Sequence, residues 1–125
     1  MRKLVKVETV LVIEDDADIR GCVVEALEGE GYTVVTAENG QEGIDSLRNA
    51  ARLPDLIILD LMMPVKDGVE FRMEQQAEPR WKDIPVIVMT ADPSAIRQLE
   101  AAHGRYLRKP VDLDELLHTI QRQFG

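Results

Sequence analysis

The sequence predicts a three-layer α/β domain, in which helices cover both faces of a parallel sheet in a doubly wound (βα)5 arrangement. Short apolar runs rich in β-branched residues alternate along the chain with segments of helical period. Several of the runs are apolar at nearly every position, as strands are when both faces of their sheet are covered. Turn-forming residues fall between the segments, where the chain must change direction.

Five strands and five helices are expected in alternation. The apolar runs that predict strands lie at residues 9–13, 33–36, 56–59, 85–89 and 106–107. Apolar residues at helical spacing predict helices at residues 19–27, 44–51, 96–102 and 113–124. Residues 69–76 are assigned to a helix mainly from their place in the alternation. The turn signals between these segments are Gly29, Gly31, Asn39, Gly40 and Pro54.

The length and composition fit a single domain covering residues 1–125. Hydrophobic residues make up 45% of the chain and charged residues 30%, which provides enough apolar surface for an ordinary core. The formal net charge of -8 argues against direct binding to nucleic acid or to an anionic membrane, since both need a basic face. No apolar stretch is long enough for a secretory signal or a membrane span, so we expect a cytoplasmic protein.

Cys22 is the only cysteine, which excludes an internal disulfide and a thiolate metal cage. A single cysteine also fits a reducing compartment. Cys22 lies at helical spacing with Ile19, Val23 and Ala26, so we expect it in the core rather than as a reactive thiol.

Side chains that can carry chemistry stand just after the predicted strands. The sequence Glu14-Asp15-Asp16 follows the first strand, and Asp60 and Lys109 follow the third and the fifth. In a doubly wound sheet the ligand site lies at the carboxyl ends of the strands, so these groups should meet. Neighbouring carboxylates repel one another, and one of them takes up a proton unless a cation is bound. Oxygen ligands of this kind suit Mg²⁺.

Each of these residues also has an ordinary interpretation when it is taken alone. Asp16 or Asp18 could cap the first helix, and Asp60 could be a turn residue. Thr90, just after the fourth run, could be a strand-end residue, and Lys109 a solvated charge. Their joint position at one edge of the sheet favours a functional site.

Four motifs resemble those of the response-regulator receiver domain of two-component signalling, the CheY-like family, and together they cover essentially the whole chain. They read LVIEDD at residues 11–16, DLIILDLMMPVKDG at 55–68, PVIVMTA at 85–91 and YLRKP at 106–110. The resemblance implies the flavodoxin-like strand order 2-1-3-4-5. It also implies a phosphoacceptor switch rather than an enzyme with a separate substrate.

The resemblance further implies a role for individual residues of the chain. Asp60 would be the phosphoacceptor, and Asp15 would bind Mg²⁺ directly. Glu14 would reach the metal through water, and the main-chain carbonyl of Met62 would be a further ligand.

A second group of residues would contact the phosphoryl group or respond to it. Lys109 would pair with the phosphoryl oxygens, and Thr90 would donate its hydroxyl to one of them. Tyr106 matches the aromatic position whose ring follows the state of Thr90. The bond from Lys109 to Pro110 is expected to be cis.

The partners implied are a sensor histidine kinase or a phosphotransfer protein as phosphoryl donor, and a downstream protein target. The domain would assist its own Mg²⁺-dependent phosphorylation and dephosphorylation, and would be a monomer or a weak dimer. Because the chain begins with Met1 and a short polar lead, we expect a stand-alone receiver rather than part of a longer protein.

Three other functions are less compatible with the sequence. A pseudo-receiver would bind partners without being phosphorylated, but every chemical position is filled here. A phosphatase of the haloacid-dehalogenase type needs a second Asp two positions after the first, where Met62 stands. A flavodoxin-like nucleotide binder needs a phosphate loop after the first strand, where Glu14, Asp15 and Asp16 would repel phosphate.

The chain departs from the family between Thr90 and Lys109, where the segment is shorter than usual. Ala102-His103 stands where receivers usually have Gly-Ala. We expect the fourth helix to be unusual and the conformational change there to be confined, because Pro93 restricts the backbone. His103 is expected to be a surface residue and not a metal ligand.

Overall fold

The computed structural model describes residues 6–92 and 105–124, and its elements alternate as the sequence predicts. The strands are β1 (Thr9–Ile13), β2 (Thr33–Ala37), β3 (Leu56–Asp60), β4 (Val86–Thr90) and β5 (Arg105–Arg108). The described helices are α1 (Ala17–Gly29), α2 (Gly40–Asn49), α3 (Gly68–Ala77) and the C-terminal helix α4 (Leu113–Phe124). The helix predicted at residues 96–102, with His103 after it, lies outside the described residues.

The five strands form one parallel sheet in the order β2-β1-β3-β4-β5. Strand β1 lies near the centre, with Leu11 opposite Val35 of β2 on one side and Ile57 of β3 on the other. The predicted three-layer doubly wound fold and the order 2-1-3-4-5 are therefore confirmed. Within the described ranges, no helix has the length and apolar character needed to cross a membrane.

Alternate strand residues supply two separate cores, because successive side chains of a strand point to opposite faces of the sheet. Leu11 and Ile13 of β1 pack on the face that α2 and α3 cover, where Phe71 is fully buried. Val10 and Val12 pack on the opposite face, against residues of α1 and α4 such as Leu116. Burial of each large apolar side chain contributes roughly 1.5–3 kcal/mol to the free energy of unfolding. The packed cores on both faces therefore stabilise the sheet that carries the residues at its carboxyl edge.

The structure corrects two details of the sequence interpretation. Cys22 is exposed, so its prediction as a core residue was wrong. The buried stripe of α1 runs through Val23 and Leu27, and Cys22 lies beside that stripe and not within it. Strand β3 extends one residue further than predicted and β4 lies one residue later than predicted, so Asp60 and Thr90 are the last residues of their strands.

Side-chain caps fix the start of the three helices that follow β1, β2 and β3. The Asp16 carboxylate accepts hydrogen bonds from the N–H groups of Asp18 and Ile19, which resolves the choice of cap in favour of Asp16. Asn39 caps α2, and Asp67 caps α3 in a capping box with Glu70. These caps define where each loop at the carboxyl edge of the sheet ends.

Candidate functional site

At the carboxyl edge of the sheet, the residues that directly follow β1 and β5 still form backbone hydrogen bonds with the neighbouring strands. The N–H of Glu14 donates to the carbonyl of Ala37 at 3.0 Å, and the N–H of Lys109 donates to the carbonyl of Thr90 at 2.9 Å. Because parallel strands bring these positions to one edge, the side chains of Glu14, Asp60 and Lys109 converge. The position of each side chain therefore depends on the sheet and not on a mobile loop.

Lys109 bridges two buried carboxylates. Its Nζ lies 2.7 Å from Oε1 of Glu14 and 3.2 Å from Oδ1 of Asp60. Glu14 is 0% exposed and Asp60 is 1% exposed, so bulk water solvates neither carboxylate. The N–H of Asp16 donates to Oε2 of Glu14, and the N–H of Met62 donates to Oδ1 of Asp60, each at 3.3 Å. One ammonium and two backbone donors thus hold two acidic groups together.

Burial and neighbouring charges shift the pKa values of Asp60 and Lys109. The pKa of Asp60 is raised from 3.8 to about 7, first by burial and then by the hydrogen bond and negative charge of Glu14. Lys109 and the N–H of Met62 oppose that rise. For Lys109 itself, burial acts to lower the pKa, but the hydrogen bond to Glu14 and the charge of Asp60 outweigh burial and the pKa is raised. A cation at this point would therefore favour the ionised form of Asp60.

Three carboxylates have the donor chemistry of a divalent metal site. Oxygen atoms of Glu14, Asp15 and Asp60 all lie within 4.8 Å of one another. Asp15 is exposed, so one side of the cluster opens to solvent. Carboxylate oxygens with room for water fit Mg²⁺, which keeps part of its hydration shell. Met62 lies two residues beyond Asp60, and its side chain is exposed.

Thr90 and Tyr106 lie on the neighbouring strands β4 and β5, and the Thr90 hydroxyl is hydrogen-bonded to Asp92. The Thr90 hydroxyl accepts a hydrogen bond from the N–H of Asp92 at 3.0 Å and donates one to the Asp92 carbonyl at 3.3 Å. Thr90 is buried, with 1% of its surface exposed. Tyr106 lies opposite Val88 in the sheet, and its side chain is exposed. The peptide bond from Lys109 to Pro110 is cis, as expected.

The loop after Asp60 is tightly folded. The N–H of Gly68 donates to the carbonyl of Leu61 at 3.0 Å, and a Cβ at Gly68 would lie 2.5 Å from the Asp60 carbonyl oxygen. Only glycine, which has no Cβ, can occupy a position so close to the backbone of Asp60. Within the loop, Val65 has a φ of 69°, a left-handed conformation that costs a β-branched residue free energy. The backbone beside Asp60 is therefore closely constrained.

Arg20 is a neighbour of the cluster that the sequence analysis did not identify. Its Nη1 donates to the carbonyl of Glu14 at 2.8 Å and approaches the carbonyl of Asp15 at 3.4 Å. The sequence contained a weak indication of this role, since a positive charge in the first turn of a helix interacts unfavourably with the helix dipole. Such a residue is expected to have a specific partner, but the pattern does not specify which one.

The chain is similar to known proteins over most of its length. A family model described as the response regulator receiver domain matches residues 10–121. The KDP operon transcriptional regulatory protein KdpE of Escherichia coli (strain K12) is 43% identical over 110 residues, which are 86% of this chain and 47% of that protein. The chain spans less than half of the length of this and other curated relatives.

Solved structures resemble the fold closely. The chemotaxis protein CheY4 of Vibrio cholerae superposes with a TM-score of 0.83 at 32% identity, over 93% of this chain and 98% of that one. The phosphorylated cyanobacterial phytochrome response regulator RcpA superposes with a TM-score of 0.79 at 30% identity, over 92% of this chain and 89% of that one.

Proposed function

Because the chain belongs to the response-regulator receiver domain family, we propose that it is a phosphoacceptor switch of two-component signalling with Asp60 as acceptor. The observation that carries the proposal is the bridge from Lys109 to the buried carboxylates of Glu14 and Asp60, at 2.7 Å and 3.2 Å. Such an arrangement gathers a nucleophile, a cation ligand and a positive charge in one place. These are the parts that phosphoryl transfer to a carboxylate requires.

The ionised carboxylate of Asp60 acts as the nucleophile. One of its oxygens forms a bond to phosphorus while the bond from phosphorus to the donor histidine nitrogen breaks, and the electron pair returns to that nitrogen. Bound Mg²⁺ would neutralise charge on the phosphoryl oxygens, with Asp15, Glu14 and the Met62 carbonyl as the proposed ligands. Lys109 offers its ammonium to a phosphoryl oxygen. The same groups would assist hydrolysis of the acyl phosphate by water.

The switch follows from the new charge at Asp60. The phosphoryl group adds oxygens that accept hydrogen bonds, and Thr90 ends the strand next to β3 in the sheet. For Thr90 to donate there, its present interactions with Asp92 must be exchanged. Tyr106, paired with β4 through the sheet, would then repack. This exchange between two arrangements would bias a protein-binding surface.

The partners proposed are proteins on both sides of the phosphoryl transfer. A sensor histidine kinase or a phosphotransfer protein would supply the phosphohistidine, and a downstream protein would read the switched surface. KdpE is named as a transcriptional regulatory protein, so the downstream protein that we propose could act in the control of transcription. The acidic net charge of the chain does not favour direct contact between the receiver and DNA.

Phosphorylation by acetyl phosphate tests the proposal. With Mg²⁺, intact-mass measurement should show one added phosphoryl group on the wild type and none on Asp60→Asn, because an amide is a poor nucleophile. Asp83→Asn is the matched control, since Asp83 is an exposed carboxylate before β4, at the opposite end of the sheet. Labelling of the Asp60→Asn variant would place the acceptor elsewhere. Absence of labelling in the wild type, also with a phosphorylated histidine kinase, would favour the pseudo-receiver.

A further inference from the structure

Arg20 holds the backbone of the acidic turn from the side of α1. Its own N–H donates to the carbonyl of Asp16 at 2.9 Å, so the residue belongs to the first turn of the helix. From there its guanidinium reaches back along the chain to the carbonyls of Glu14 and Asp15. The side chain is only 18% exposed, although arginine is usually well solvated. The contacts are therefore specific and partly shielded from water.

The second guanidinium nitrogen connects this turn to the next loop. Nη2 of Arg20 lies 3.5 Å from Oε1 of Glu38, which follows directly after β2. The backbone makes a parallel link, because the N–H of Glu14 donates to the carbonyl of Ala37. The acidic turn is thus fixed to β2 by a backbone hydrogen bond and by an arginine that contacts both loops.

A guanidinium in this position limits how the two acidic side chains can point. The carbonyl of Glu14 belongs to the peptide that joins Glu14 to Asp15, and the carbonyl of Asp15 belongs to the following peptide. Holding both oxygens fixes the orientation of both planar peptides. The directions of the Glu14 and Asp15 side chains follow from those planes. One guanidinium nitrogen, Nη1, contacts both carbonyls, while the second nitrogen of the planar fork, Nη2, lies beside Glu38. A single ammonium is less suited to make these contacts together.

We propose that Arg20 is a positioning residue for the metal site, oriented by Glu38, and that it presets the directions of the Glu14 and Asp15 carboxylates toward the cation. The inference rests on the proposed function, since it assumes that these carboxylates bind Mg²⁺. Arg20 acts through the backbone and touches neither the cation nor the phosphoryl group. Outer contacts of this kind often affect metal affinity strongly because they orient the ligands.

A purely electrostatic role for Arg20 makes the opposite prediction. Removing a positive charge beside an acidic cluster should strengthen cation binding. Removing a positioning contact should weaken it, because the carboxylates then lose their preset directions. The sign of the change in Mg²⁺ affinity therefore separates the two roles.

The experiment measures Mg²⁺ binding to the full chain by calorimetric titration, and acetyl phosphate labelling as a function of Mg²⁺ concentration. Arg20→Ala should raise the Mg²⁺ concentration for half-maximal labelling roughly tenfold, and leave the maximal rate at saturating Mg²⁺ within about twofold of wild type. The Mg²⁺ concentration for half-maximal labelling of Arg20→Lys should lie between those of the wild type and Arg20→Ala. Arg52→Ala is the matched control, because Arg52 pairs with Glu8 on the surface and should leave both quantities unchanged. Equal or tighter Mg²⁺ binding by Arg20→Ala would overturn the proposal.

Glu38→Gln provides a second, milder variant, since the Glu38 side chain is largely exposed and its loss should not endanger folding. It should weaken Mg²⁺ binding in the wild-type background but have a smaller effect in the Arg20→Ala background. An equal effect in both backgrounds would show that Glu38 does not act through Arg20. If the wild type itself neither bound Mg²⁺ nor accepted a phosphoryl group, the proposed function would fail, which is a different result from failure of the positioning role.

Discussion

Lys109 and Glu14 are separated by 95 positions in the chain, yet Nζ and Oε1 lie 2.7 Å apart at the edge of the sheet. The same ammonium lies 3.2 Å from Asp60. In this arrangement Lys109 supplies positive charge to both buried carboxylates. A divalent cation and the ammonium would therefore compete for the same oxygens, and the stability of the domain should depend on both.

The first prediction concerns the loss of that ammonium. Lys109→Ala should lower the free energy of unfolding without Mg²⁺ by about 1–3 kcal/mol at pH 8, because two buried carboxylates lose the ammonium that contacts both of them. Saturating Mg²⁺ should restore more stability to this variant than it adds to the wild type. Urea unfolding with and without Mg²⁺ measures both changes.

Lys82→Ala is the control for this experiment, since Lys82 is exposed and lies before β4. It should change neither the stability nor the response to Mg²⁺ by more than about 0.5 kcal/mol. Equal stabilisation of wild type and Lys109→Ala by Mg²⁺ would contradict competition for the carboxylates. We also expect Lys109→Ala to impair signalling output more than folding when Mg²⁺ is present.

The second prediction concerns the pH dependence of stability. The pKa of Asp60 is about 7 in the folded protein against 3.8 ordinarily, so the folded state holds its proton after the unfolded state has released it. Stability should therefore fall as the pH rises from about 4 to about 7, where it levels off. Asp60→Asn removes the ionisable group and with it this loss of stability at higher pH. Without Mg²⁺ at pH 8 the variant should be more stable than the wild type by about 2 kcal/mol, because no second negative charge then forms beside Glu14.

Thermal unfolding in the presence of a chelator, measured between pH 4 and pH 8, tests the second prediction. The stability difference between Asp60→Asn and wild type should shrink toward pH 4, where Asp60 is largely protonated in the folded state and about half protonated in the unfolded state. Asp83→Asn should show no such trend, because its side chain is exposed. A constant difference at all pH values would mean that the gain does not arise from the titration of Asp60.

The third prediction concerns the exposed acidic ligand. Asp15→Asn should weaken Mg²⁺ binding roughly tenfold, which corresponds to about 1.4 kcal/mol for the loss of one partly solvated charge. Its stability without Mg²⁺ should be equal or higher, since like charges are removed from the cluster. Calorimetric titration with Mg²⁺ measures the affinity, with Asp83→Asn as the variant of equal charge. Wild-type affinity in Asp15→Asn would show that Asp15 is only a loop charge.

The fourth prediction concerns the strained loop beside the site. Val65→Asn should raise the free energy of unfolding by about 1 kcal/mol, because asparagine tolerates a φ of 69° better than a β-branched residue and Val65 is 80% exposed. Val35→Asn on β2 is the matched control, as it replaces a partly exposed valine in an ordinary strand and should lower stability. Chemical unfolding of both variants measures the contrast. Equal destabilisation by the two changes would show that the backbone at Val65 is not strained.

Local patterns were sufficient to predict the layers and the order of elements. Strand and helix periods differ, so an alternation of fully apolar runs with helical spacing indicates both the elements and the coverage of the sheet. Residues directly after strands necessarily meet at one edge when the strands are parallel. For this reason the positions of Glu14, Asp60 and Lys109 in the chain are enough to predict that they meet. The strand order itself came from the resemblance to the receiver family and not from any pattern in the chain.

Only the tertiary structure decided how those residues are paired and which neighbours support them. The bridge from Lys109 to Glu14 and Asp60, the hydrogen bonds between the Thr90 hydroxyl and Asp92, and the reach of Arg20 to the acidic turn depend on distances between side chains. No periodicity records such distances. The exposure of Cys22 was missed for a related reason, since helical spacing gives the side of a helix but not the width of the surface that packs on the sheet. Sequence patterns therefore determined which groups reach the edge of the sheet, and packing in three dimensions decided how those groups share charge, protons and hydrogen bonds.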